Sequence, residues 1–275
     1  MLKDLVAIVD NASLSQGFIR NALAFAEAQD AQLAITLLTR DYMNVAALSP
    51  YDPSAIAMDQ VMADQREELR ALASLTEKAA VPVELRGVVE DNAYLHGASR
   101  IEGRYADLLL LGPPASYSDP RLRRRVAETA ITSSGGPLLI VPEQGVAGRI
   151  RRAAVGWDAS AEARRAIRDL MVLIEPGGHI DILTVDAEES WEGHGPSPGS
   201  DIARNLARHG HEVAIHHENS VGRTVHEALE AAALAHGADI LAIGAFAHSR
   251  VRDILLGGVT RALLGETRLP LLLSR

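Results

Sequence analysis

No cysteine occurs in the 275 residues, which excludes disulfides, thiolate metal sites and cysteine nucleophiles, so any chemistry must rest on other groups. No apolar run reaches membrane-spanning length. The opening Met1-Leu2-Lys3-Asp4-Leu5-Val6 passes straight into a strand-like pattern, with no signal-peptide core or cleavage site. These absences lead us to expect a cytoplasmic chain with no membrane partner. An excess of basic residues is missing too: a formal net charge of -9 argues against nucleic acid as a partner, because its phosphates favour basic faces. The local exception, Arg121, Arg123, Arg124 and Arg125, reads as a solvated or ion-pairing helix face. What is present is 47% hydrophobic and 23% charged residues, the balance of a globular chain able to bury a core.

The length exceeds that of most single domains, and the sequence repeats itself. Leu5-Val6-Ala7-Ile8-Val9-Asp10 is answered by Ala153-Ala154-Val155-Gly156-Trp157-Asp158, each an apolar run ending in aspartate. Ile35 to Asp41 is answered by Ile180 to Asp186, and Ala106-Asp107-Leu108-Leu109-Leu110-Leu111-Gly112 by Ala238-Asp239-Ile240-Leu241-Ala242-Ile243-Gly244. Pro137 to Pro142 and Pro270 to Arg275 close the two halves. Continuous apolar runs separated by helical patterns indicate parallel strands covered on both faces. The expected fold is therefore α/β: two tandem, doubly wound, open parallel-sheet domains, residues 1–145 and 146–275, joined near Gly145.

Between these runs, Ala163, Ala166, Ile167, Leu170, Met171 and Ile174 recur at helical spacing after a Ser160 N-cap and before a Gly177-Gly178 stop. His226 to Ala235 reads as a helix ended by Gly237. In the first half, Pro50-Tyr51-Asp52-Pro53 reads as a turn before a polar helix; in the second, Glu188 to Ser200 is Gly/Pro-rich and reads as a loop. His216 and His217 fall in a strand, so they point to opposite faces and make a poor metal pair.

Ligands of open parallel sheets bind beyond the carboxyl ends of the strands. There the run Ile240 to Ile243 leads into Gly244-Ala245-Phe246-Ala247-His248-Ser249-Arg250, and Gly257-Gly258-Val259-Thr260 opens a second helical stretch. Glycines let backbone N–H groups approach an anion, and the unpaired amides of a helix start attract phosphate. The pattern is a phosphate cradle without a Walker lysine.

With Gly244 and Gly257 at these positions, the second half resembles the universal stress protein family. That family's loop reads Gly, two residues, Gly, nine residues, then Gly followed by Ser or Thr. Ala247 stands where the middle glycine is expected and Gly258 where the hydroxyl residue is expected. If the middle position needs positive φ, alanine there costs on the order of 1 kcal/mol. The resemblance extends to Asp158 and to Val221-Gly222-Arg223, and implies an adenine nucleotide alpha hydrolase-like fold. It further implies that Gly156, Trp157, Asp158 and Val185 hold adenine and ribose. Gly244, Ala247, Gly257, Gly258 and Val259 would meet the phosphates through their backbone, with Ser249, Arg250 and Thr260 as side-chain candidates and His248 a weaker one. The implied ligand is ATP, or ADP or AMP; Mg²⁺ has no dedicated protein site.

In the first half Gly112 is followed by Pro113-Pro114, which supply no N–H, and Glu90 stands at the counterpart of Gly222. Its spacing to Ser133-Ser134-Gly135-Gly136 does not fit the family loop. That pocket reads as degenerate, although Asp10 is kept. The leading expectation is a nucleotide-binding, stress-response regulator with an unidentified protein partner and no required catalytic step. A slow ATPase or related adenine-nucleotide hydrolase is one alternative, and an interaction module with vestigial pockets another. In the family, single domains dimerise through their final strands, so the two halves are expected to form an internal pseudo-dimer, with a homo-oligomer open beyond it.

Overall fold

The apolar runs become strands because neighbours cover them on both faces. All four residues of Leu108 to Leu111 are buried, and each leucine withdrawn from water contributes about 1.5–3 kcal/mol. A computed structural model describes residues 2–41, 54–187, 197–245 and 267–275. Contacts divide the chain at Gly136/Pro137 into two units. Strand Leu138–Ile140, which closes the first half in the sequence, is counted with the second.

In the N-terminal unit the elements run β1 (Asp4–Val9), α1 (Gln16–Gln29), β2 (Gln32–Asp41), α2 (Ser54–Thr76), β3 (Val83–Asp91), α3 (Ala98–Glu102), β4 (Leu108–Leu111) and α4 (Pro120–Ser133). The strand order is β3-β2-β1-β4, all parallel. In the C-terminal unit they run β5 (Leu138–Ile140), β6 (Ile150–Gly156), α5 (Ala161–Leu170), β7 (Ile174–Val185), α6 (Ser200–Arg208), β8 (Glu212–Glu218), α7 (Val225–Ala235), β9 (Ile240–Gly244) and β10 (Leu271–Ser274). Here β8-β7-β6-β9-β10 are parallel. Strand β5 pairs antiparallel with β10, Leu139 opposite Leu272.

The repeated Ala-Asp pair has one physical task in both units. The Asp107 carboxylate accepts from the amides of Lys3 and Asp4, and its own amide donates to the Asp4 carbonyl. The Asp239 carboxylate accepts from the amides of Arg151 and Arg152, and its amide donates to the Arg152 carbonyl. In each case an aspartate before the fourth strand fixes the start of the first, setting the register of the sheet's centre.

Three local readings change. Helix α5 stops at Leu170, and Ile174 already belongs to β7. Gly177, at φ +78°, lies where the β6–β7 register shifts, so the two glycines accommodate an irregular strand rather than stop a helix. The arginine run does not form one solvated face. Arg123 is 2% exposed and its Nε donates to the Gly112 carbonyl at 2.7 Å, whereas Arg124 pairs with Glu128 and Arg125 donates to the Asn92 carbonyl. Among the described residues no helix is long and apolar enough to cross a membrane.

Candidate functional site

Strand β6 is hydrogen-bonded to β7 on one side and β9 on the other, so the chain order reverses between β6 and β9. Parallel sheets open a ligand crevice beyond the carboxyl ends at such a point. Gly156 ends β6 and Gly244 ends β9, and Gly156 pairs with Ile243, so the two glycines lie on the crevice's two lips. Neither lip can carry a side chain without rearrangement. A Cβ on Gly156 would stand 2.9 Å from Ile243 Cγ2 and 3.1 Å from Leu229 Cδ1. One on Gly244 would stand 2.4 Å from the Ala163 amide nitrogen. Gly244 is thus required by close packing of strand end against the first turn of α5, a reason distinct from phosphate approach.

Beyond Gly156 the Trp157 amide donates to the Leu183 carbonyl at 2.8 Å and carries the ladder one residue past the strand. Asp158 follows, half-buried. Its Oδ1 accepts from the Ser160 amide at 3.0 Å and hydroxyl at 2.5 Å, while Ser160 Oγ accepts from the Ala163 amide at 3.0 Å. Ser160 is therefore the N-cap of α5, as the sequence predicts, and Asp158 braces the cap. Ala159 between them is held at φ +59°.

Val185 ends β7 half-buried, opposite Glu218 of β8. Residues outside the sequence-derived candidates anchor this edge. Asp186, at φ +48°, donates its amide to the Glu218 carbonyl and accepts the Ser220 amide on Oδ1 at 3.0 Å. The Ser220 side chain and amide hold the Asp186 carboxyl below its usual value. Thr224 and Glu227 cap α7 through the 2.7 Å bond from the Thr224 amide to Glu227 Oε2, and that threonine's side chain and amide likewise lower the Glu227 carboxyl. The Thr-x-x-Glu spacing is a capping-box signal readable from sequence; Asp186 carried none beyond ending the repeated run.

Among the sequence-derived candidates, Gly156, Trp157, Asp158, Val185 and Gly244 thus come together at neighbouring strand ends. Ala247, His248, Ser249, Arg250, Gly257, Gly258, Val259 and Thr260 lie outside the described residues, as do Pro50 to Pro53 and most of the Glu188 to Ser200 stretch.

At the corresponding end of the N-terminal unit the chain folds back on the end of β1. Tyr117 is buried and its hydroxyl donates to the Ile8 carbonyl, burial raising that hydroxyl's pKa. Asp10, the counterpart of Asp158, accepts from the Ser118 amide at 2.9 Å, the Ser118 hydroxyl at 2.7 Å and the Asp119 amide at 3.1 Å. A cavity of about 550 Å³ lies alongside, lined in part by Asp10, Thr39, Arg40, Asp64 and Glu68. Glu68 accepts the Ala12 amide at 2.6 Å, and Arg40 is paired with Asp119. Three carboxylates against one already paired guanidinium make this lining hostile to phosphate.

Residues 149–275 match the universal stress protein family. The fold of the whole chain is similar to that of a universal stress protein from Archaeoglobus fulgidus DSM 4304, with a TM-score of 0.70 and 16% identity over 98% of this chain and 96% of that one. It is also similar to a functionally unknown protein from Pseudomonas aeruginosa PAO1, with a TM-score of 0.53 and 12% identity over 99% of this chain and 92% of that one. No curated protein sequence matches the chain.

Proposed function

We propose that this chain, whose residues 149–275 belong to the universal stress protein family, binds one adenine nucleotide in its C-terminal unit and acts as a stress-response regulator without a required catalytic step. The observation that carries the reading is the strand-order reversal between β6 and β9, with Gly156 and Gly244 at the two strand ends and a braced Asp158 just beyond the first. The Gly156–Trp157 backbone is suited to the edge of an adenine. The Asp158 carboxylate is suited to the ribose hydroxyls, and its cap with Ser160 orients it before a ligand arrives, so less is lost in ordering it on binding. Val185 supplies apolar area beside the base. The phosphates are assigned to the glycine-containing sequence from Gly244 through Gly257 to Thr260. Mg²⁺ is assigned no ligands on the protein, and the regulatory output passes to a protein partner of unknown identity. A cytoplasmic location goes with this reading.

The test is mass analysis of small molecules released from the denatured purified chain, followed by calorimetric titration of the emptied protein with ATP, ADP and AMP. One site per chain is expected. Two equivalent sites would overturn the assignment to one unit. No released nucleotide together with no heat of binding would favour the interaction module with vestigial pockets. Steady phosphate release that depends on Mg²⁺ would favour the slow ATPase.

A further inference from the structure

A second polar cluster lies in the C-terminal unit, away from the crevice. Leu229 of α7 packs beside Gly156 at the crevice end. His236, the C-cap of α7, is seven residues further on, about 10 Å back along the helix at 1.5 Å per residue. There Asp181 of β7 is fully buried, which by itself would be costly for a carboxylate. Its Oδ2 accepts from Arg152 Nε at 2.7 Å and its Oδ1 from the same guanidinium at 3.1 Å. Two more nitrogens converge on Oδ1, His216 Nε2 at 2.8 Å and His179 Nε2 at 3.1 Å. The His236 ring stacks on that of His216, with centroids 3.8 Å apart and planes inclined by 26°.

One ligating atom from each of Asp181, His216 and His236 lies within 4.8 Å of the others. Arg152 already balances the charge of Asp181, so charge neutralisation does not explain two imidazoles on the carboxylate and a third stacked behind one of them. A tetrahedral zinc-type ion with bonds of about 2.0–2.2 Å spaces its ligand atoms roughly 3.3 Å apart, within about half an ångström of the 2.8 Å between Asp181 Oδ1 and His216 Nε2. Imidazole nitrogen with one carboxylate oxygen suits zinc, nickel or copper, and not the all-oxygen shells of calcium or magnesium. The supporting shell is in place as well, since Arg152 grips both carboxylate oxygens and fixes the carboxylate's orientation. His216 and His236 are only half-buried, which gives an ion a path from solvent.

We propose that Asp181, His216 and His236 form a binding site for a zinc-type divalent cation, with water completing the coordination shell. Closing on the ion requires the His236 ring to turn out of its stack so that its nitrogen and that of His216 address one point. His217 provides an internal control: it faces the other side of the sheet and bonds Thr184 Oγ1 at 2.8 Å.

The experiment uses the full chain with any affinity tag removed and its metals stripped by a chelator. Zinc chloride is titrated in competition with a chromogenic chelator, and Co²⁺ is then bound as a spectroscopic probe. One ion per chain is expected, with intense visible cobalt bands of a four-coordinate site. His216→Ala and His236→Ala should each weaken binding about tenfold or more, and His217→Ala should leave it unchanged. Because His236 is a half-buried helix cap, its variant should keep the wild-type circular dichroism and melting profile. Failure of the wild type to take up zinc would overturn the proposal. So would equal losses in the His217 and His216 variants, or cobalt bands unchanged by His236→Ala.

Discussion

Asp10 and Asp158 occupy the same point after the first strand of their units, yet their surroundings differ. Asp10 accepts three hydrogen bonds from Ser118 and Asp119, a segment that folds back from the end of β4 to the end of β1. Asp158 accepts from its near neighbour Ser160, two residues along the chain, and both aspartates are half-buried. A repeated sequence can thus keep a residue while changing its task. In the N-terminal unit the aspartate secures a loop; in the C-terminal unit it stands beside a crevice framed by two glycines.

The comparison can be broken most severely at Gly244. Valine there would place Cβ against the Ala163 amide, a backbone atom that cannot swing aside. The variant should lose about 3 kcal/mol of stability, read from chemical denaturation, because overpacking must displace the first turn of α5. Wild-type stability would show that the strand end and helix are not packed as described.

Exchanging the two aspartates for alanine tests the division of labour directly. Asp158→Ala should lower ATP affinity about tenfold in calorimetry, equivalent to about 1.4 kcal/mol. Asp10→Ala should leave affinity unchanged and instead cost about 1.5–3 kcal/mol of stability, as expected for hydrogen bonds to a charged group. Equal affinity losses would mean that both units take nucleotide.

Tyr117→Phe sharpens the account of the segment that folds back on β1. Losing the bond to the Ile8 carbonyl should cost about 1 kcal/mol at neutral pH. It should also change the alkaline response. Burial raises the Tyr117 pKa above its ordinary value of 10.0, so the folded state disfavours ionisation. The stability this represents is present below pH 10 and lost as pH rises above it. Melting curves from pH 8 to 11 should therefore fall less steeply for the phenylalanine variant, and identical slopes would contradict the buried hydroxyl.

The smallest effect is expected at Ser160→Ala. It removes the N-cap of α5 and should cost about 1 kcal/mol in denaturation. It also releases Asp158, so a two- to threefold loss of ATP affinity, about 0.5 kcal/mol, should accompany it. A stability loss with no change in affinity would separate the cap from the crevice.

The sequence alone was enough to point to two α/β units, because buried parallel strands must be apolar along their whole length and an Ala-Asp pair precedes an apolar run at both Asp107 and Asp239. It also identified Ser160 as a cap, since capping is a contact between residues three apart. Gly244 could be named as a candidate because a glycine after an apolar run is a local signal, whereas Gly156 and Asp158 were named through the resemblance to the universal stress protein family. What only the tertiary structure decided depends on groups far apart in the chain. Gly244 is required by α5, more than 80 residues earlier, Asp10 is bonded by a segment more than 100 residues later, and Arg123 is buried against the end of β4. The gathering of Asp181, His216 and His236 is of the same kind. Strand periodicity correctly separated His216 from His217, but a side chain's neighbours across strands and helices are set by sheet register and helix packing, which no short stretch of sequence contains.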